Sequence, residues 1–323
     1  VEKNLFIISN FLSHNNRNIF IITANSDYKK NFNKKINIIY SNSKTWIKKS
    51  RFSKTLVSLF LLIKYFFNKK ALILSFQSNI PIIFLSKILN FKIIIRLNTS
   101  LEKYINSNFS KIFYKFFYSL ADKIIVNSYY FKKEIKKKLR LESKLIYNSY
   151  KNTKEKKKLN FFKNFKGLKI LNIGRLTDQK DQITLLKSLK ILLDKKIFFR
   201  CSIIGEGTKM ESLKNYIKEN KLKKFVRLEG YKKDAEKYLS FSDLFILSSK
   251  YEGLPNVLIE SQSKNIPTIS SNCPTGPKEI LLEGALGDLY DVGDYKELSK
   301  LIINFKKNKK RLIKKSKNAK NYL

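Results

Sequence analysis

The sequence predicts an α/β protein built as two successive domains, each a doubly wound parallel sheet, and three observations carry that prediction. From residue 19 to residue 147, apolar runs of strand length alternate with helical stretches, the pattern of a parallel sheet with helices on its faces. The alternation begins again at Lys169 and runs to Ser270, as expected of two facing doubly wound domains. Between the two halves, residues 151–158 form a charge run with no apolar period, which reads as a linker. A chain of 323 residues is long enough for two such cores. The boundaries that follow are 1–150 for the first domain, 151–164 for the linker and 165–323 for the second domain.

In the first half, Val1-Glu-Lys-Asn-Leu-Phe-Ile-Ile-Ser-Asn-Phe-Leu reads as a helix already under way. Strands are expected at 19–23, 36–40, 72–76, 92–96, 124–127 and 145–147, and helices near 51–69, 79–89, 109–121 and 129–139. In the second half, strands are expected at 169–173, 199–204, 226–228, 244–247 and 268–270, with helices at 182–193 and 210–220. Residues 306–323 are basic and helix-compatible.

Two stretches of the first half invite a membrane reading. Residues 51–70 are apolar with basic ends, but their apolar side chains are too broadly distributed for one exposed face. That favours a core-packing helix whose lysines snorkel. Residues 103–118 mix Tyr, Phe and Lys in a way that suits either a lipid interface or a packed helix.

The formal net charge is +42, and only eight of the 67 basic residues are Arg. Lys, Asn, Ile and Phe share A/T-rich codons, so base composition is one source of the excess. An anionic membrane surface is a second, and nucleic acid a third. Residues 1–164 carry 34 basic against 7 acidic residues, and 165–323 carry 33 against 18. A strongly basic front half and a milder back half fit one domain facing anionic lipid and the other holding a nucleotide. A nucleic-acid partner rests on charge alone and is not part of the reading.

Cys201 and Cys273 are far apart and make neither a disulfide framework nor a metal spacing, which points to a reducing cytoplasm. No run reaches the ~18 apolar residues needed to span a bilayer. No signal-peptide pattern is read in the residues given, and the first residue is not Met, so a fragment shortened at its N-terminus is expected. His14, the only histidine, falls near the end of the first helix and is expected to be solvated rather than catalytic.

The stretch with the most chemistry is Tyr251-Glu-Gly-Leu-Pro-Asn-Val-Leu-Ile-Glu260-Ser261, directly after the apolar run 244–248. Gly253 and Pro255 punctuate a turn, and Asn256 begins a helix. Strand, turn and helix N-terminus together aim backbone N–H groups at one spot, which suits a phosphate. Glu252 and Glu260 frame it. Carboxylates repel phosphate, so these two are expected to accept hydrogen bonds from hydroxyls elsewhere on the same ligand. Phosphates in the middle with hydroxyl-rich groups at both ends describe a nucleotide sugar.

Glu252 and Glu260, with seven residues between them, resemble the E-x7-E motif of retaining GT-B glycosyltransferases, and EGLPNVLIE resembles glycosyltransferase family 4. Gly174-Arg-Leu-Thr-Asp-Gln-Lys-Asp181 upstream and Asn272-Cys-Pro-Thr-Gly-Pro-Lys-Glu-Ile280 downstream are similar to the same family in the same order. The resemblance is dense from about residue 168 to 292. It implies a GT-B fold, two Rossmann-like domains facing across a cleft, with the first strand of the N-domain missing here. It assigns Gly174, Arg175 and Lys180 to the donor diphosphate, where cations stabilise charge as the sugar leaves. It puts Glu260 on the ribose hydroxyls and Glu252 near the donor sugar. The backbone of Gly253 and Leu254, with Pro255 and Asn256, completes that side, and Arg227 lies in the region bordering the base. Glu252, Arg175 and Lys180 are the expected catalytic set. Gly205-Glu-Gly207 permits close backbone approach to a ligand, with a plain turn equally open.

Strand carboxyl ends face the ligand crevice of an open α/β sheet. Arg96, Asn98 and Thr99 are therefore the acceptor-side candidates, with a role for Arg96 as a structural ion-pair partner equally open. The sequence departs from the family pattern at Ser149, where Pro is usual, and near Asn98, where many relatives carry a histidine. No Asp-x-Asp motif or metal-ligand cluster occurs, so transfer without a bound metal or cofactor is expected. The expected function is sugar transfer from a nucleotide diphosphate to a glycan or lipid-linked acceptor in cell-envelope polysaccharide synthesis. Its place would be the cytoplasm, peripheral to the inner face of the membrane. The rival reading is a nucleotide- or glycan-binding protein that keeps the fold without turnover.

Overall fold

The computed structural model describes residues 2–15, 18–24, 32–41, 50–149, 159–319 and 322. The chain divides into two units: Val1–Asn127 with Lys132–Ser149, and Ser128–Phe131 with Tyr150–Leu323. Each expected strand and helix has a counterpart, with ends moved by at most a few residues. Residues 151–158, read as the linker, lie outside the described residues.

In the first unit the order is α1 (Glu2–His14), β1 (Phe20–Thr23), β2 (Asn37–Tyr40), α2 (Arg51–Phe66), β3 (Leu72–Ser75) and α3 (Asn79–Ile88). β4 (Lys92–Leu97), α4 (Asn108–Ser119), β5 (Lys123–Val126), α5 (Tyr129–Leu139) and β6 (Lys144–Leu145) follow. β1 and β2 pair in parallel, and β3-β4-β5-β6 form a second parallel sheet. Period-two burial marks the first half of β4, where Ile93 and Ile95 are fully buried, Lys92 is exposed and Ile94 half-buried; Arg96 and Leu97 are both buried after them. His14 is exposed in the last turn of α1.

Two readings of this unit change. α2 was expected to pack into the core all round. It buries Leu61 and Leu62 but leaves Phe52, Leu56 and Phe60 exposed at a spacing of four, which is one face of a helix. Arg96 is buried, with Nη2 donating to the Ile146 carbonyl (3.0 Å) and to Asn148 Oδ1 (2.9 Å). Burial holds its pKa below the usual guanidinium value. Arg96 therefore anchors the segment after β6, through a carbonyl and an amide rather than an ion pair.

In the second unit the order is β7 (Leu168–Ile173), α6 (Gln182–Asp194), β8 (Phe199–Ile204), α7 (Met210–Glu219), β9 (Val226–Leu228) and β10 (Leu244–Leu247). Then come α8 (Asn256–Ser263), β11 (Thr268–Ser271), α9 (Gly276–Ile280), β12 (Asp288–Tyr290), α10 (Tyr295–Lys307) and α11 (Lys309–Ala319). The sheet runs β12-β11-β10-β7-β8-β9, all parallel. The winding direction reverses between β7 and β10, a topological switch point whose carboxyl side is the ligand crevice of such sheets. Leu159, Phe161 and Phe162, assigned by sequence to the end of the linker, pack with Leu171, Phe245 and Leu258 in the core of this unit. Their apolar character outweighs the lysines just before them.

α11 is tied down by its charges. Buried Asp288 accepts from Arg311 Nη1 (3.0 Å), Arg311 Nη2 and Lys315 Nζ (2.8 Å). Burial opposes ionisation of Asp288, but the hydrogen bonds from Arg311 and Lys315 outweigh it and hold the pKa below the usual carboxylate value.

Candidate functional site

The candidate site occupies the carboxyl side of the switch point. After β7 the chain turns through Gly174, Arg175 and Lys180 into α6, and after β10 it turns through Ser248 to Pro255 into α8. α8 starts at Asn256 with Pro255 as its N-cap, where the missing N–H of proline costs nothing.

Side chains join the two loops. Lys180 Nζ donates to Glu252 Oε1 at 2.5 Å, and Ser249 Oγ donates to the same oxygen at 2.6 Å. The Lys180 and Glu252 side chains are only 15% and 9% exposed. Gln179 accepts from Arg175 Nη2 (3.2 Å) and donates through Nε2 to the Tyr251 carbonyl (3.0 Å). Gln182 Nε2 donates to the Arg175 carbonyl (3.1 Å), and Ser248 Oγ to the Lys180 carbonyl (2.8 Å). The guanidinium, the ammonium and the Glu252 carboxylate are thereby gathered at the ends of two adjacent strands.

The loop after β11 closes beneath the turn. Thr275 Oγ1 donates to the Glu252 carbonyl (2.7 Å) and the Gly253 carbonyl (3.0 Å), and Gly276 N donates to the Gly253 carbonyl (2.7 Å). Thr275 has φ +76°, which a β-branched residue adopts only under strain. A Cβ on Gly276 would stand 2.1 Å from that carbonyl oxygen, so the contact requires glycine.

The loop after β8 locks to the loop after β7. Gly174 N donates to the Ile204 carbonyl (3.0 Å) and Leu176 N to the Glu206 carbonyl (2.9 Å). At Gly205, φ is +149° and a Cβ would lie 1.9 Å from the Gly174 carbonyl oxygen. The close backbone approach inferred for Gly205 is therefore made to Gly174, within the protein.

Two predicted donor residues stand differently. Glu260 is buried in α8 two turns or fewer from Pro255. Arg227 lies on β9 with its guanidinium 4.6 Å from the ring centre of Phe161, which also carries Arg200 at 4.9 Å. That cation–π stack, rather than the Lys180–Glu252 group, is what the structure gives Arg227. Leu254 is buried beside Gly253. On the first unit, Asn98 Nδ2 donates to the Phe76 carbonyl (3.0 Å), and Thr99 is half-buried. Arg96 spends Nη2 on the Ile146 carbonyl and Asn148, while its buried Nε has no hydrogen-bond partner among the described residues.

Gln179, Gln182, Ser249 and Thr275 were not singled out by sequence, although three of them flank or lie within quoted motifs. Burial pushes the Cys273 thiol up to about 12, the Glu252 charge adding to it, so it stays protonated. Burial also raises the pKa of Asp181, whose Oδ2 accepts from Thr184 Oγ1 at 2.7 Å. Among the described residues there is no group of three or more His, Cys, Asp or Glu that could hold a metal. No described helix is long and apolar enough to cross a membrane.

The chain is 37% identical over 224 residues to the uncharacterized glycosyltransferase MJ1059 of Methanocaldococcus jannaschii, covering 63% of this chain and 55% of that protein. It is 35% identical over 103 residues to the UDP-Gal:alpha-D-GlcNAc-diphosphoundecaprenol alpha-1,3-galactosyltransferase of Escherichia coli, covering 31% of this chain and 27% of that one. The matches thus span about half or less of these relatives' length. Among solved structures, Anabaena Alr3699/HepE in complex with UDP-glucose superposes with a TM-score of 0.77 at 16% identity, covering 99% of this chain and 90% of that one. At that identity the likeness speaks for fold, the GT-B class of two Rossmann-like units. The family of glycosyl transferases group 1 matches residues 132–322, and the chain belongs to it.

Proposed function

We propose that this protein is a retaining glycosyltransferase that moves a hexosyl-type sugar from a nucleotide diphosphate to a glycan or lipid-linked acceptor in cell-envelope polysaccharide synthesis. The observation that carries the reading is the joining of the Arg175–Lys180 loop to the Glu252 turn at the switch point, by the 2.5 Å Lys180–Glu252 contact. An ammonium has three donors, so pairing with Glu252 leaves Lys180 capacity for a diphosphate oxygen. Arg175, whose Nη2 donates to Gln179, supplies a second cation. Together they stabilise the charge that builds on the diphosphate as the bond to the sugar breaks. Backbone groups of Gly253 and Leu254 and the start of α8 meet the phosphates or the sugar. Glu252 faces the donor sugar, and Glu260 takes the ribose hydroxyls. The acceptor hydroxyl arrives on the face from which the diphosphate leaves, and its proton passes to that leaving phosphate. The two cations do the work a metal does in other transferases, so the reaction proceeds without one. The protein works on the cytoplasmic side, at the surface of the membrane. The E. coli relative, named for a diphosphoundecaprenol-linked acceptor and UDP-Gal, supports an acceptor and donor of these classes.

The test is mass spectrometry of products from a panel of nucleotide sugars offered with a lipid-linked acceptor. Formation of one glycosylated product by mass, with the donor's anomeric configuration retained in the NMR coupling of its anomeric proton, supports the reading. No transfer with any donor, while nucleotide sugars still bind, favours the binding protein without turnover.

A further inference from the structure

α4 carries two apolar stripes, and only one of them faces the protein. Tyr114, Phe117 and Tyr118 turn inward, Tyr118 buried and its ring 5.5 Å from that of Tyr114. Phe109, Ile112, Phe113 and Phe116 lie at i, i+3, i+4 and i+7, the spacing of a single helix face. That face is in solvent: Phe109 is 79% exposed, Ile112 67% and Phe116 59%. Core packing does not explain this stripe, because its side chains touch water while the opposite stripe packs. α3, which packs against α4, adds exposed Phe84 and Ile88.

The charge on the helix itself is positive, and of the acidic residues flanking it Asp122 is paired with Lys87 of α3 and Glu102 with Lys138. α4 contains Lys111 and Lys115, four apart and both exposed, and no acidic residue. Residues 51–100 hold eight basic residues and no acidic one. A second copy of a chain with net charge +42 would bring like charge to like charge. Nucleic acid would satisfy the lysines and stack on rings, but it gains little from the aliphatic Ile112 at the centre of the stripe. An anionic bilayer satisfies both features, taking the apolar stripe below its headgroups and the lysines at their level.

We propose that the outer face of α4 is a membrane-docking surface, with the helix lying in the plane of an anionic bilayer and Phe109, Ile112, Phe113 and Phe116 inserted. This deepens the membrane-surface part of the reading above and is independent of sugar transfer. Binding measured without any sugar nucleotide tests it separately.

The experiment is vesicle co-sedimentation of the full chain with phosphatidylcholine alone and with phosphatidylcholine containing phosphatidylglycerol. The wild type is expected to pellet with the anionic vesicles. The triple variant Phe109→Ser, Ile112→Ser, Phe116→Ser is expected to bind about tenfold or more weaker. Lys111→Gln with Lys115→Gln is expected to weaken the preference for anionic vesicles while retaining the apolar stripe, and it guards against a folding defect in the triple variant. Equal binding by wild type and triple variant, at matched thermal melts, overturns the proposal. So does an absence of vesicle binding, whether the triple variant instead dissolves a dimer or loses affinity for single-stranded RNA.

Discussion

Lys180 and Glu252 stand 72 residues apart in the chain, yet their charged groups meet at 2.5 Å and both side chains are largely buried. Ser249 shares the same carboxylate oxygen. A buried pair broken on one side leaves an uncompensated charge, at a cost of about 3–5 kcal/mol. Lys180→Met should therefore lower unfolding free energy by about that amount in urea titrations and abolish sugar transfer. Adding Glu252→Gln to it should recover most of the stability and none of the transfer.

Thr275 gives a second, separable effect. Its hydroxyl holds the carbonyls of Glu252 and Gly253 while its backbone sits at φ +76°. Glycine relieves that conformation and valine does not. Thr275→Gly should stay within about 1 kcal/mol of wild type, because relief of strain offsets the lost hydrogen bonds. Thr275→Val should lose about 1–3 kcal/mol, read from urea midpoints at constant m.

Gly205 tests the lock between the loops after β7 and β8. A Cβ there would lie 1.9 Å from backbone that has nowhere to move cheaply. Gly205→Ala should cost about 1–3 kcal/mol by thermal melting and weaken donor binding through displaced Arg175.

Asp288 predicts a pH dependence. Its folded-state pKa is depressed by Arg311 and Lys315 against the opposing effect of burial. The stability it contributes is full above its unfolded value of ~3.9 and is lost as pH falls through the lower folded value. Asp288→Asn should be less stable than wild type at pH 7, and the gap should close on acidification. Arg311→Ala should cost less than ~3 kcal/mol, because Lys315 still meets the carboxylate.

The parts of the fold that local pattern encodes were legible in the sequence. The 244–247 strand, the turn at Gly253 and the helix starting after Pro255 are local features, and each occurs where its residues predict. β12 was missed because Asp288-Leu-Tyr290 is too short to show any period. The roles of Arg96 and Arg227 were also out of reach. One is decided by burial against Ile146 and Asn148, the other by the ring of Phe161, and neither contact leaves a mark in spacing. For a related reason the sequence alone reads the outward stripe of α2 as core and leaves residues 103–118 open between a lipid interface and a packed helix. Periodicity identifies apolar faces but does not say which one the rest of the protein covers.

The central claim is that the switch-point loops and α8 hold a nucleotide sugar, with Glu260 on its ribose. Isothermal titration of nucleoside diphosphate sugars into the wild type and Glu260→Ala tests it most directly. The account predicts saturable binding of at least one such donor, weakened by about a hundredfold in Glu260→Ala, since a lost charged hydrogen-bond pair costs about 1.5–3 kcal/mol. Equal affinity in the two proteins, or no binding by a folded wild type, would contradict it.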